Sequence, residues 1–145
     1  MKGGFTLHVQ TGKSFDLNEV HREFLKRGCH VFSPDSTFEN RIGVLPTPDK
    51  YQVLLAMQTN GQNCDLMPQD IVAWLRGLEK DQPFILTGAG FDFLSGRFTT
   101  KIAGPAALAK RMYEFCSDIV DQGCGDVKAL AAELRKSQTL FFWWD

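Results

Sequence analysis

A chain of 145 residues and 16.3 kDa can bury a core without disulfide or metal staples, and its 43% hydrophobic and 23% charged content belongs to a globular domain. Net charge is −1, with 7 Lys/Arg against 8 Asp/Glu in residues 1–75 and 9 against 9 in residues 76–145, which excludes both a strongly basic nucleic-acid binder and an acidic DNA mimic. The longest apolar runs, 53–57 and 140–144, fall far short of the roughly 20 residues that span a bilayer, so no membrane is expected.

The opening "MKGGFTLHVQTGKSF" has no apolar stretch of signal-peptide length, and Cys29, Cys64, Cys116 and Cys124 form no CxxC pair. A cytoplasmic protein with reduced thiols is expected. "FTLHVQ" alternates Phe5, Leu7 and Val9 with polar residues, the period of a half-buried strand. "FDLNEVHREFLKRG" places Leu17, Val20, Phe24 and Leu25 at helical spacing, with Asp16 as N-cap and Gly28 as stop. "CHVF" reads as a second strand, "SPDSTFENR" as a loop, and 42–45 as a third strand.

Thr47-Pro48 predicts the start of a buried helix through Tyr51, Val53, Leu54, Leu55 and Met57, closed by Gly61. A second start at Asp65 to Pro68 leads into a helix with Ile71, Val72, Trp74, Leu75 and Leu78 on one face, barred from continuing by Pro83. "FILTGAGFDFLSGRFTT" reads as two strands around a tight turn, and Gly104-Pro105 opens another helix. After a Gly-Cys-Gly break at 123–125 comes a last helix with Asp126 in its first turn and Arg135 and Lys136 in its last. The chain then ends on "TLFFWWD", read as a terminal strand covered on both faces and therefore free of polar alternation. No repeat or linker appears, so a single α+β (or α/β) domain over 1–145 is expected, its mixed sheet covered by helices.

Three strings near the end, "GAGFDF", "YEFCSDIVDQG" and "LAAELRKSQTLFFWWD", resemble the bacterial domain-of-unknown-function family 4253. Its members show a Gly-Phe-Asp strand, a Tyr-x-Phe-Cys-x-Asp-Ile-Val-Asp-Gln-Gly segment and a closing Trp-Trp-Asp. The resemblance is specific over 84–145, looser over 45–83, and absent upstream; Ser117 stands where Pro is usual. It brings no reaction with it. What it implies is a motif set of Asp92, Asp118, Asp121, Gln122, Gly123, Trp143, Trp144 and Asp145.

Together with Arg97, a potential counter-ion, these residues define a candidate polar cluster of Asp92, Arg97, Asp118, Asp121, Gln122 and Asp145. Such carboxylates can cap helices or pair with Arg97 and Arg111, hold a hard cation, split their pKa values as an acid/base pair, or form a polar binding patch. Neither GxGxxG nor GxxxxGK[ST] is present, no nucleophile–base set can be read, and His8, His21 and His30 are scattered over different elements. Neither a catalytic set nor a cofactor or metal is expected. The reading that follows is a small binding protein for a protein partner, of the immunity or antitoxin kind that neutralises a toxin by direct contact. The alternative is an enzyme or metal-binding domain using Asp92, Asp118, Asp121 and Asp145. The polar segments "SPDSTFENR" and "QTNGQNCD" are the expected contact surface, since loops carry recognition on a rigid scaffold.

Overall fold

The computed structural model describes residues 3–8, 16–36 and 41–145, with Leu17 and Asn18 described in backbone only. Val9, Gln10 and the centre of the "SPDSTFENR" segment lie outside the described residues. In chain order the elements are β1 (Phe5–His8), α1 (Leu17–Leu25), β2 (His30–Phe32), β3 (Arg41–Leu45), α2 (Lys50–Met57), α3 (Pro68–Glu79), β4 (Phe84–Ala89), β5 (Phe93–Phe98), α4 (Pro105–Phe115), α5 (Val127–Ser137) and β6 (Thr139–Trp143). A 3-10 turn over Gln62–Cys64 precedes α3, and a π turn over Ile119–Cys124 joins α4 to α5. The fold is α+β. No helix among the described residues is long and apolar enough to cross a membrane.

The strands form two antiparallel three-stranded sheets, ordered β1-β3-β2 and β4-β5-β6. A short parallel bridge ties them: Ser33 N donates to Thr87 O at 2.8 Å and Ala89 N to Ser33 O at 3.0 Å. The sheet expected to be mixed is thus two antiparallel ladders with one parallel joint. One large core cluster fills the space between the second sheet and the helices, including Val53, Leu54, Ile71, Leu75, Leu94 and Met112. A small second cluster, Val31, Ile42 and Val44, packs α1 through Val20 and Phe24 onto the first sheet.

Two helix boundaries move from their expected positions. The cap of α2 is Asp49, whose carboxylate accepts from Tyr51 N at 3.0 Å, because Thr47 Oγ1 is already engaged by Asp49 N at 3.1 Å. The same helix ends at Gln58, in the left-handed region at φ 57°, rather than running to Gly61. Gly61 has a different task. A Cβ there would lie 2.5 Å from Trp144 Cδ1, so its bare backbone lets the indole sit beneath the 58–67 connection.

The terminal strand also departs from its expectation. β6 is an edge strand and alternates: Leu140, Phe142 and Trp144 are buried, whereas Phe141 is 45% exposed and Trp143 half-buried. Only one of its faces meets the aromatic core, where Phe142 stacks on Trp144 at 5.6 Å and meets Trp74 edge-on at 5.2 Å. Trp74 in turn stacks on Phe115 at 4.6 Å. The other face looks toward α5 and the π turn.

Candidate functional site

The motif segment after α4 is shaped by its backbone. Cys116 is wholly buried and its Sγ donates to Trp143 O at 3.2 Å, while burial pushes the thiol up to about 11, so it stays protonated and unreactive. Beyond it the chain widens into the π turn, where Gly125 N reaches back five residues to Val120 O at 2.8 Å and Gly125 takes φ 88°. This widening separates two carboxylates that ordinary helical spacing would stack. Asp118 is 7% exposed, and Asp121 stands in solvent with Tyr113 Oη at 3.4 Å.

Asp118 is the hub of what converges. Its Oδ2 accepts from Asn63 Nδ2 at 2.7 Å and from Asp145 N at 3.2 Å, so the carboxylate ties the 3-10 turn to the last residue. One step back, Trp144 N donates to Asp92 O at 2.9 Å. Asp92, Asp118 and Asp145 therefore meet at one end of the second sheet, but Asp92 and Asp145 contribute backbone groups and leave their side chains exposed. Gln122 lies on the exposed side of the π turn. Arg97 is elsewhere: it pairs across from Thr139, while Phe93 pairs with Trp143, which puts Arg97 about 13 Å along β5 from that end.

The expected ion pairs do not form. Among the described residues the ion pairs are Lys26–Glu23, Arg41–Asp35, Lys50–Glu79, Arg76–Asp49 and Lys110–Glu114, and none contains Arg97 or Arg111. Arg111 instead lies 5.9 Å from the centre of the Trp74 ring. Nor, among the described residues, do three His, Cys, Asp or Glu side chains gather in a way that could hold a metal ion.

A cavity of about 220 Å³ opens beside this hub, between the Phe141/Trp143 face of β6, α5 and the π turn. Its wall is largely apolar, and Met112, Leu130 and Leu134 line it together with Asp118 and Glu133. Glu133, Phe141 and Asn63 were not among the sequence candidates. Nothing in the uniformly apolar run 140–144 singles out Phe141, and the Asn63–Asp118 contact spans 55 residues and has no local signal.

Two further polar groupings also escape a sequence reading. His21 and His30, on α1 and β2, meet edge-on with ring centres 4.4 Å apart. His21 Nδ1 bonds Val31 O and His30 Nε2 bonds Leu86 O, but His30 Nδ1 is buried without a partner. Burial above all, with the neighbouring His21 adding to it, drives the His30 pKa down to about 4. On α2 and α3, Lys50 and Tyr51 both bond Glu79. Burial raises the Glu79 pKa, and the hydrogen bonds from Lys50 and Tyr51 outweigh that and leave it below the usual range. These two groupings tie elements together away from the cavity.

A protein-family model described as Domain of unknown function (DUF4253) matches residues 41–145. No curated protein and no solved structure matches the chain. The match runs from β3 to β6, so it takes in Asn63, Asp92, Asp118 and Asp145 and the whole wall of the cavity, and leaves β1, α1 and β2 outside. The chain belongs to the DUF4253 family.

Proposed function

We propose that this is a small binding protein of the bacterial cytoplasm that engages a protein partner, and that the partner is a toxin neutralised by direct contact. One observation carries the reading: Phe91 and Met67, 57% and 60% exposed, stand on adjoining turns that also carry the exposed Asp92 and Asp65, with the exposed Asp145 next to Trp144, whose N–H bonds Asp92 O. Those turns are joined through backbone, with Asn60 N donating to Phe91 O at 2.9 Å and Gly61 N to Leu66 O at 2.9 Å. Large exposed apolar side chains on segments that also carry exposed carboxylates suit an interface with a dry centre and charged surroundings, facing a partner of basic surface. The surface includes the "QTNGQNCD" connection, and a rigid base lies under it, since Asp118 and Trp144 fix the same end from within.

The test is co-expression with the product of the adjacent gene, followed by co-purification. Growth should be restored and the two chains should co-elute; the paired substitution Phe91→Ala and Met67→Ala should abolish co-elution while leaving the melting temperature unchanged. Added salt should slow association more than it speeds dissociation. A non-toxic neighbour together with no stable partner from the native host would refute the reading.

A further inference from the structure

We propose that the cavity between β6, α5 and the π turn is a binding site for a compact, uncharged apolar molecule, a single ring with a short alkyl substituent. Phe141 and Trp143 are the side chains it covers. This goes beyond the partner-binding reading and does not rest on it, because the cavity wall shares none of Phe91, Met67, Asp65, Asp92 or Asp145.

The wall selects an uncharged ligand. Its buried carboxylate, its hydroxyl and its thiol are engaged with groups outside the lining: Asp118 accepts from Asn63 Nδ2 and Asp145 N, Thr139 Oγ1 lies 2.7 Å from Ser137 Oγ, and Cys124 Sγ donates to Asp126 O at 3.5 Å. Glu133 stands at an exposed position of α5, where water solvates it. The rest of the wall is chiefly hydrocarbon and aromatic ring, from Met112, Ile119, Leu130, Leu134, Phe141 and Trp143. A charged ligand would give up its water there without a partner to replace it, a cost that an uncharged one escapes.

Burial along the wall shows how such a molecule enters. Met112, Ile119, Leu130 and Leu134 belong to the buried core cluster, whereas Gly123, Thr139 and Phe141 are exposed, so the cavity runs from the core to solvent. Phe141, 45% exposed, and the half-buried Trp143 are large apolar surfaces that the fold leaves partly in water, and covering them drives binding. A Cβ at Gly123 would find Asp118 O at an ordinary 3.8 Å, and its φ lies outside the left-handed region. Neither crowding nor backbone strain calls for glycine at this exposed position, and its lack of a side chain leaves that part of the opening clear. Apolar cavities of roughly 150 Å³ stay dry and admit benzene. At about 220 Å³ this one holds a ring with a short alkyl chain, which can meet Phe141 and Trp143 in stacked or edge-on contact.

Titration of the full chain, its methionine methyl groups labelled with carbon-13 and followed by NMR, tests the assignment with ethylbenzene, benzylamine and benzoate. Met112 lines the cavity, whereas Met57 and Met67 do not, and Met67 is itself 60% exposed. Ethylbenzene should shift the Met112 methyl saturably and leave those of Met57 and Met67 in place. Benzylamine and benzoate should bind at least about tenfold more weakly, because each would leave a charge dehydrated and unpaired. Phe141→Ser, at an exposed position, should weaken ethylbenzene by about fivefold or more through loss of apolar cover. The readings on the native chain decide the matter whether or not that variant folds. Benzylamine or benzoate binding as tightly as ethylbenzene, a shift of Met67 without Met112, no saturable binding, or unchanged affinity in folded Phe141→Ser would overturn the proposal.

Discussion

The two sheets share strand number and antiparallel pairing but differ in what covers them. In the second sheet, β5 buries every side-chain position but Arg97, and the even positions of β6 enter a cluster shared with α2, α3, α4 and α5. In the first sheet, all four residues of β1 are exposed, Phe5 at 52% and Leu7 at 43%. Alternation in "FTLHVQ" foretold the strand but not its burial, because α1 packs on Val31, Ile42 and Val44 and leaves this edge strand uncovered. Backbone pairing is the same in both; what separates them is apolar area removed from water, the larger source of stability. The molecule is therefore expected to be unevenly stable, with its strength in the part that belongs to the family.

Removing residues 140–145 strikes the strong sheet and should have the largest effect. It deletes Leu140, Phe142 and Trp144, each 2% exposed or less, and strips β5 of its outer partner. At about 3–5 kcal/mol for each large aromatic, the loss approaches or exceeds the roughly 5–15 kcal/mol that holds a domain together. The shortened chain should be insoluble, or compact without fixed packing, which near-ultraviolet circular dichroism would register. A soluble truncation with the urea midpoint of the intact chain would mean that β6 is not part of the core.

Acid should probe the joint between the sheets. His30 spans it, reaching from β2 to Leu86 O on β4, and its pKa is lowered from 6.5 to about 4. Between those values the unfolded chain binds a proton that the folded chain refuses, so stability rises with pH and is lost as pH falls from 6.5 toward 4. The full loss is about 3 kcal/mol. Glu79, also lowered, adds its loss further down, below the ordinary carboxylate value of 4.5. His30→Leu gives up the bond to Leu86 and should be weaker at neutral pH, yet its urea midpoint should change less between pH 6.5 and 4. An unaltered acid slope in that variant would remove His30 from the account.

How much of this was legible beforehand follows the range of each signal. Gly28, at φ 72°, and Pro68 and Pro105 at helix starts act through their own backbone, and the elements they bound lie where the sequence puts them. Where two local groups compete, the outcome depends on which oxygen reaches which amide, and so Asp49 displaced Thr47 and Gln58 ended α2 before Gly61. The candidate site was legible as a set of residue types but not as an arrangement. Nothing local distinguishes a π turn from an α turn in "SDIVDQGCG", yet that choice buries Asp118 and exposes Asp121. Arg97 was included for its charge, and the register of β5 against β6 carried it to the far end. The His21–His30 contact joins a helix face to a strand and depends on packing alone.

The two carboxylates at the hub offer the finest comparison, because chemistry and motif treat them alike while the fold does not. Asp118 is buried and accepts two hydrogen bonds on one oxygen; replacing it with Ala leaves Asn63 Nδ2 and Asp145 N without their acceptor, at a cost of about 1–3 kcal/mol. Asp145 enters the same hub only through its backbone N–H, which a change of side chain does not remove, and its own carboxylate is exposed with no ion pair among the described residues. Asp145→Asn should therefore shift stability by no more than about 0.5 kcal/mol, with solubility intact. Urea unfolding of the two single variants and the double variant tests this directly, and the double should equal Asp118→Ala within error. A loss of several kcal/mol in Asp145→Asn would instead place its side chain in a buried pair and make it a second hub.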